Sequence, residues 1–318
     1  MTRRGPRIAP ALGLLLCLAA PADSDSGPAV RVTLDNDQFN FWQVPIRRPD
    51  FGYTHGTEIA LRLPRAPHAV ARLAPGWLLG DETAGGEPAL ELRVRQNIYS
   101  PWTLPPDRHY AGWLEAAVGV SRSGEHSYRE LLAHVGITGP PSLAGTIQRG
   151  MHQRYYDGDP PDWSGQLLAE PGFGLEAGAV SRGLAAGNPA GLRLLAGGSG
   201  RARLGTYAVD LRLGLPMVVG WAPPGLWTAG APVPAGWSIY VRLNPHVEFI
   251  ARDEFLDGTL FRHDPGPGAR PVVAESEAAV GVARGHLGIE WRVLRRSREF
   301  DGQPRPHTYS SLAATWSP

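Results

Sequence analysis

The sequence predicts an all-β fold, an antiparallel β-barrel that spans a membrane. Three observations predict it. Apolar residues recur at period two along most of the chain, the N-terminus has the form of a secretory signal, and beyond that signal no run of 18 or more apolar residues occurs. A spanning helix needs about 20 such residues, and in lipid the other structure that pairs every backbone polar group is a closed barrel.

The chain starts with an export segment. Arg3, Arg4 and Arg7 precede an apolar run from Ala9 to Ala20, and Ala20-Pro21-Ala22 fits the small-residue cleavage rule. Residues 1–22 are therefore expected to be a signal peptide and residues 23–318 a single barrel domain. Cys17, the one cysteine, lies inside the signal, so the mature chain has no disulfide. Removing residues 1–22 takes away three arginines and no acid, which leaves 28 basic against 30 acidic residues. Nothing in that balance suggests nucleic acid, and none is expected as a partner. Every basic residue is Arg, a side chain suited to phosphate, but a GC-rich genome gives the same bias.

The strands read in order. Val30, Val32 and Leu34 alternate with Arg31, Thr33 and Asp35; Ile59, Leu61 and Leu63 alternate with Glu58 and Arg62. Leu90, Leu92 and Val94 oppose Glu91, Arg93 and Arg95, and Leu114 to Val120 repeat the pattern around Glu115. Stretches at Tyr207–Leu213, Ile239–Leu243 and Leu287–Val293 do the same. An apolar face against lipid with charges in the lumen satisfies this alternation, and so does a soluble sandwich; the export signal favours the barrel. Glycine and proline, 40 and 31 residues, mark loops such as 64–88, 221–234 and 264–271. One segment departs from period two. After Gly139-Pro140-Pro141, Ser142 is a candidate N-cap, and Leu143, Ile147 and Met151 follow at helical spacing beside the row Ala144, Gln148, His152. A short helix over Ser142–Gln153 is expected.

Four polar clusters stand out: Asp35-Asn36-Asp37; Tyr53-Thr54-His55-Gly56; Gln96 to Pro101 with Asp107 to Trp113; and Gln148-x-x-x-His152 with Trp163 and Gln166. With Glu170-Pro171-Gly172, Phe255-Leu256-Asp257-Gly258 and Phe300-Asp301-Gly302-Gln303, this ordered set resembles the outer-membrane lipid A 3′-O-deacylase family over most of the mature chain. No single motif is specific; the order is. His55 stands where the family has Asn, Ser100 where it has Thr, and His109 where it has Pro.

The resemblance implies a monomeric barrel of about twelve strands in a Gram-negative outer membrane, with a site between barrel wall and helix. It implies hydrolysis of the 3′-linked acyl ester of lipid A. The residues agree with that chemistry. His152 is the natural base, and Gln148, one turn away, orients it or the substrate. Asn36 and Asp37 supply hard oxygen ligands for a divalent cation of calcium type. Thr54 shares parity with Glu58 and Arg62, so it is expected to face the lumen and hydrogen-bond near the site. Arg108 is a candidate for a lipid A phosphate, and Tyr53, Trp102, Tyr110 and Trp113 are read as an interfacial girdle. A Gly-x-Ser-x-Gly elbow is absent from the sequence. The rival reading is a barrel without catalysis, a pore or lipopolysaccharide binder, which a wide open lumen would favour. Paired inward charges would favour the enzyme.

Overall fold

A computed structural model describes residues 28–39, 51–72, 76, 87–103, 106–155, 160–227, 236–262 and 264–317. The expected signal peptide lies outside these residues. Thirteen strand segments run β1 (Ala29–Asn36), β2 (Gly52–Leu63), β3 (Ala89–Ser100), β4 (Ala111–Ser123), β5 (Ser127–Thr138), β6 (Pro171–Gly187) and β7 (Leu192–Gly205). They continue with β8 (Ala208–Gly214), β9 (Met217–Trp221), β10 (Ser238–Asp253), β11 (Val272–Arg284), β12 (Leu287–Arg296) and β13 (His307–Trp316). Every pairing between them is antiparallel, and β1 pairs with β13 from Val30↔Trp316 to Asn36↔Ser310, which closes the sheet. Segments β8 and β9 both lie between β7 and β10. They are one strand interrupted at Leu215-Pro216, because proline has no N–H to give the ladder. The barrel is therefore twelve-stranded, as expected.

The outer surface carries the apolar half of each alternation. Ile59, Val94, Val118, Val135, Leu175, Leu211, Val241, Val280 and Ile289 are all exposed. A soluble sandwich would bury them; a closed sheet with this exterior fits lipid. No helix among the described residues is long and apolar enough to cross a membrane.

Inside, the charges pair with one another. Arg203 Nε lies 2.6 Å from Asp210, Glu248 gathers Arg201 at 3.0 Å, Arg212 at 3.2 Å and Arg296 at 2.7 Å, and Glu290 meets Arg31 at 3.2 Å and Arg242 at 3.4 Å. Arg93–Glu130 and Arg95–Glu58 are further pairs. Buried charges are tolerated when each has a partner, and these fill the interior, leaving a cavity of about 530 Å³. One end of that cavity is stopped by the chain that follows β9. Leu226 packs among Leu195, Val218 and Tyr240, and Trp227 stacks on Tyr128 at 6.4 Å. Arg242 Nη1 donates to Leu226 O at 2.7 Å.

At the opposite end lie the connections 101–110, 139–170, 254–271 and 297–306, and the second of them carries the helix Ala144–Tyr155. Two single-turn helices, His68–Ala71 and Glu254–Asp257, accompany it elsewhere.

A candidate active site between wall and helix

The expected helix exists, but it begins differently. Pro140–Ser142 forms a 3₁₀ turn, Leu143 adopts a left-handed φ of 63°, and the α-helix starts at Ala144 and runs to Tyr155. Ser142 is thus not the N-cap. Its hydroxyl donates to Gly139 O at 2.6 Å while accepting the Ala144 N–H at 3.4 Å, and the Ile147 N–H reaches Leu143 O. The apolar row also points the opposite way from a soluble helix: Leu143 and Ile147 are exposed, whereas Ala144 and Gln148 are buried. The helix presents hydrocarbon outward and its small and polar row to the barrel.

It sits on the outside of the wall. Gly112 makes this possible, since a Cβ there would come within 2.1 Å of Ser142 Oγ and 2.3 Å of the Ala144 methyl. Gln96 Nε2 donates to Ser142 O at 2.6 Å. On β3, Gln96, Ile98 and Ser100 share parity with the exposed Leu92 and Val94, so they belong to the outer face.

Thr54 reaches the same seam through a bulge. The β2–β3 register runs Tyr53↔Tyr99 and then His55↔Ile98, leaving Thr54 as the extra residue. Tyr53 then faces the lumen, its hydroxyl donating to Asp35 at 2.8 Å, while Thr54 turns outward. The lumen-facing expectation for Thr54 is corrected by that one residue. Its buried hydroxyl donates to Ile98 O at 3.2 Å and lies 3.5 Å from Ser100 Oγ. Gln148 Nε2 donates to Ser100 Oγ at 3.3 Å, and Trp163 Nε1 donates to Gln148 Oε1 at 2.8 Å. Trp163 lies flat on the helix over Gly145, whose position a Cβ would contest at 2.8 Å, and tilts against Tyr110 at 5.1 Å.

Asn36 belongs to the same side. Asn36 shares parity with the exposed Leu34 and pairs across the ladder with His55; the Asn36 amide lies 3.4 Å from His55 Nδ1. His55 Nε2 is 3.0 Å from Thr57 Oγ1. Asp37, first residue of a 3₁₀ turn, is buried. His152 stands one turn beyond Gln148 in the same row and is half-buried. The structure thus joins Thr54 and Gln148 through Ser100 and sets Asn36 on the strand paired with that of Thr54. Ser100 and Trp163 are the positions whose roles the motifs alone did not assign. Strand parity from Leu92 would have found Ser100. Among the described residues no group of three or more His, Cys, Asp or Glu could hold a metal. The donors available, one amide oxygen and one carboxylate with no thiolate, suit a hard cation completed by backbone or water oxygens.

Arg108 is on the other side of the wall. Buried, it donates to Phe255 O at 3.0 Å and lies 5.3 Å from the ring of Tyr99, a lumen residue by its parity with Arg95. Of the four aromatic residues expected in a girdle, Tyr53 sits edge-on to Tyr309 at 4.9 Å, Trp113 stacks on Tyr207 at 4.7 Å, Trp102 packs with Leu256 and Phe300, and Tyr110 lies against Trp163 at the seam. Trp102 and Trp113, joined by Tyr99 stacked on Phe255 at 4.7 Å, cap the lumen mouth, and the Phe255-Leu256-Asp257-Gly258 and Phe300-Asp301-Gly302-Gln303 motifs serve this closure. Asp257 accepts the Ala269 N–H at 2.7 Å, and buried Gln303 accepts the Glu299 N–H at 2.7 Å. Beside this cap, burial first and Glu170 second push the Glu254 carboxyl up to about 8.

A closed barrel with an apolar exterior, a plugged and charge-paired interior and a polar cluster on its outer wall defines an outer-membrane barrel protein. The chain belongs to the family of the outer membrane protein LpxR, whose family model matches residues 9–317. The structure is similar to LpxR from Salmonella typhimurium, with a TM-score of 0.72 at 15% identity over 91% of this chain and 99% of that one. The β domain of the Bordetella autotransporter BrkA follows at a TM-score of 0.44 and 12% identity, covering 92% and 98%. No curated protein matches by sequence.

Proposed function

We propose that the protein is a lipid A 3′-O-deacylase, hydrolysing the 3′-linked acyl ester in the outer leaflet. The observation that carries this reading is the polar chain Trp163–Gln148–Ser100–Thr54 on the lipid side of the barrel. These side chains are buried beneath the helix and hydrogen-bonded to one another, an ordered polar network on a wall whose other outward residues are apolar, and that contrast supports a use beyond packing. Family membership supports a lipid A-related role, and the plugged, charge-paired lumen disfavours a pore.

In this reading His152 is the general base. It takes a proton from water as the water oxygen attacks the ester carbonyl carbon, and returns it to the sugar oxygen as the C–O bond breaks. The products are a fatty acid and a free lipid A hydroxyl. Gln148, held from both ends, keeps the helix and hence His152 at a fixed distance from the wall. Asn36 and Asp37 would hold a divalent cation, probed first as Ca²⁺. When bound, such an ion polarises the ester carbonyl. Arg108, facing the lumen mouth, braces the cap in this reading and is not assigned to a lipid phosphate. Mass spectrometry of lipid A from cells with and without expression tests the proposal: loss of the 3′ acyl mass supports it, and an unchanged spectrum overturns it.

A further inference from the structure

His109 lies half-buried where three loops of the site end meet. Its Nδ1 is 3.0 Å from Gly165 O, its Nε2 is 3.2 Å from Pro265 O, and the same Nε2 is 3.3 Å from Asp264 Oδ1. All three neighbours are acceptors. A neutral imidazole has one N–H and one lone pair, so it satisfies one side and sets its lone pair against an oxygen on the other. The imidazolium alone donates on both sides.

We propose that His109 is a positioning residue, a proton-operated latch that holds the Trp163 segment over the seam. Asp264 decides which half of the latch opens. Its carboxylate lies on the Nε2 side, so a single remaining proton stays on Nε2, and the contact released is Nδ1 to Gly165 O. Gly165 is two residues from Trp163, whose indole fixes Gln148. Deprotonation therefore frees the segment that orients the site, while the 264–265 side stays bound. The neighbouring charges are engaged elsewhere. Asp107 accepts the Trp102 N–H, Arg108 donates to Phe255 O, and Asp162 accepts from Ser164. Asp264 Oδ2 accepts the Leu168 N–H at 3.0 Å, and the Leu167 N–H reaches Tyr110 O at 2.8 Å. These two bonds keep the segment folded when the latch opens, so the response is local.

The consequence for acyl release rests on the deacylase reading; the latch itself does not. The test is hydrogen exchange on the full protein in detergent micelles, following a peptide that covers residues 160–168 at pH 5.5 and 8.5, corrected for intrinsic exchange. The wild type should lose about tenfold of its protection at the higher pH, the scale of one charge-assisted hydrogen bond. His109→Gln should show low protection at both values. Glu254 titrates in the same range but is retained in the variant, so the difference isolates His109. Equal pH responses in the two proteins would overturn the latch. Ring ¹⁵N shifts of wild-type His109 give a reading that needs no variant: when the ring carries a single proton, that proton should sit on Nε2. A proton retained on Nδ1 would overturn the direction of release.

Discussion

Trp163 Nε1 donates to Gln148 Oε1 at 2.8 Å and thereby fixes which end of the Gln148 amide faces the barrel. An indole can only donate, so Nε2 must point to Ser100 Oγ, 3.3 Å away. Thr54 donates to Ile98 O, which leaves its oxygen to accept from Ser100. The chain runs one way, from loop to helix to wall. Trp163→Phe keeps the ring and removes the donor. Acyl release should fall about tenfold, the effect of one unsatisfied buried acceptor, while heat-modifiable migration on a gel stays normal. Wild-type release from a folded Trp163→Phe barrel would show that the Gln148 orientation is immaterial.

His152→Ala should leave a folded barrel whose acyl release drops by about 10²–10⁴-fold, the usual contribution of a general base. His55→Ala removes contacts to Asn36 and Thr57, not the proposed base, and should cost far less. The comparison is read from initial rates on one lipid A preparation. Should His55→Ala be the inactive variant, the base has been assigned to the wrong histidine.

Activity should vanish in excess EDTA and return on adding Ca²⁺, because Asn36 and Asp37 are hard oxygen donors and no cysteine lies among the described residues. Zn²⁺ should restore it poorly. Full activity in EDTA would remove the cation from the mechanism.

Much of this was legible in the sequence, for a physical reason. Where both faces of a strand carry large side chains, as in Leu90–Arg95, period two marks the strand and its orientation. Segments β6 and β7 hide it, because their alternation is carried largely by Gly and Ala, as in Ala177-Gly178-Ala179 and Ala196-Gly197-Gly198. The site depended on two things no pattern displays. The bulge at Thr54 inserts one residue and reverses the face of everything on its far side, and Leu143 enters the left-handed region without a glycine to announce it. The lumen cap was misread as a girdle because aromatic residues near strand ends look alike until the loops bring Phe255 and Phe300 over them.

The chain after β9 seals the lumen, so the protein should be non-conducting in a planar bilayer. Arg242 holds the plug through Leu226 O at 2.7 Å and Gly225 O at 3.4 Å. Arg242→Ala combined with Leu226→Ser and Trp227→Ser removes both the latch and the apolar packing. The variant should show discrete openings, still partly obstructed by the ion pairs around Glu248. Silence from the triple variant in bilayers where a porin conducts would place the seal in those ion pairs.

Glu254 should make the cap more stable in acid than in base. Its carboxyl is buried beside Glu170 and pushed up to about 8, against about 4.3 in an unfolded chain. Glu170 is committed, accepting the Leu260 and Phe261 N–H groups at 2.8 and 2.9 Å. The sign follows from proton counts. Between the two values the folded protein holds a proton on Glu254 that the unfolded chain has released, so stability falls as pH rises through this window. Below about 4.3 both states are protonated and above about 8 both are ionised, so the slope from this group disappears at either end. Glu254→Gln keeps the shape and an acceptor for Thr138, which reaches the carboxyl at 3.5 Å, and removes the titration. The temperature at which the folded gel band converts to the unfolded one is the readout, at pH 5, 7 and 9. It should fall across that series in the wild type by about 5 °C or more, with a much smaller fall in Glu254→Gln. Equal slopes in both proteins would mean that another group sets the pH dependence and that Glu254 is ionised within the fold.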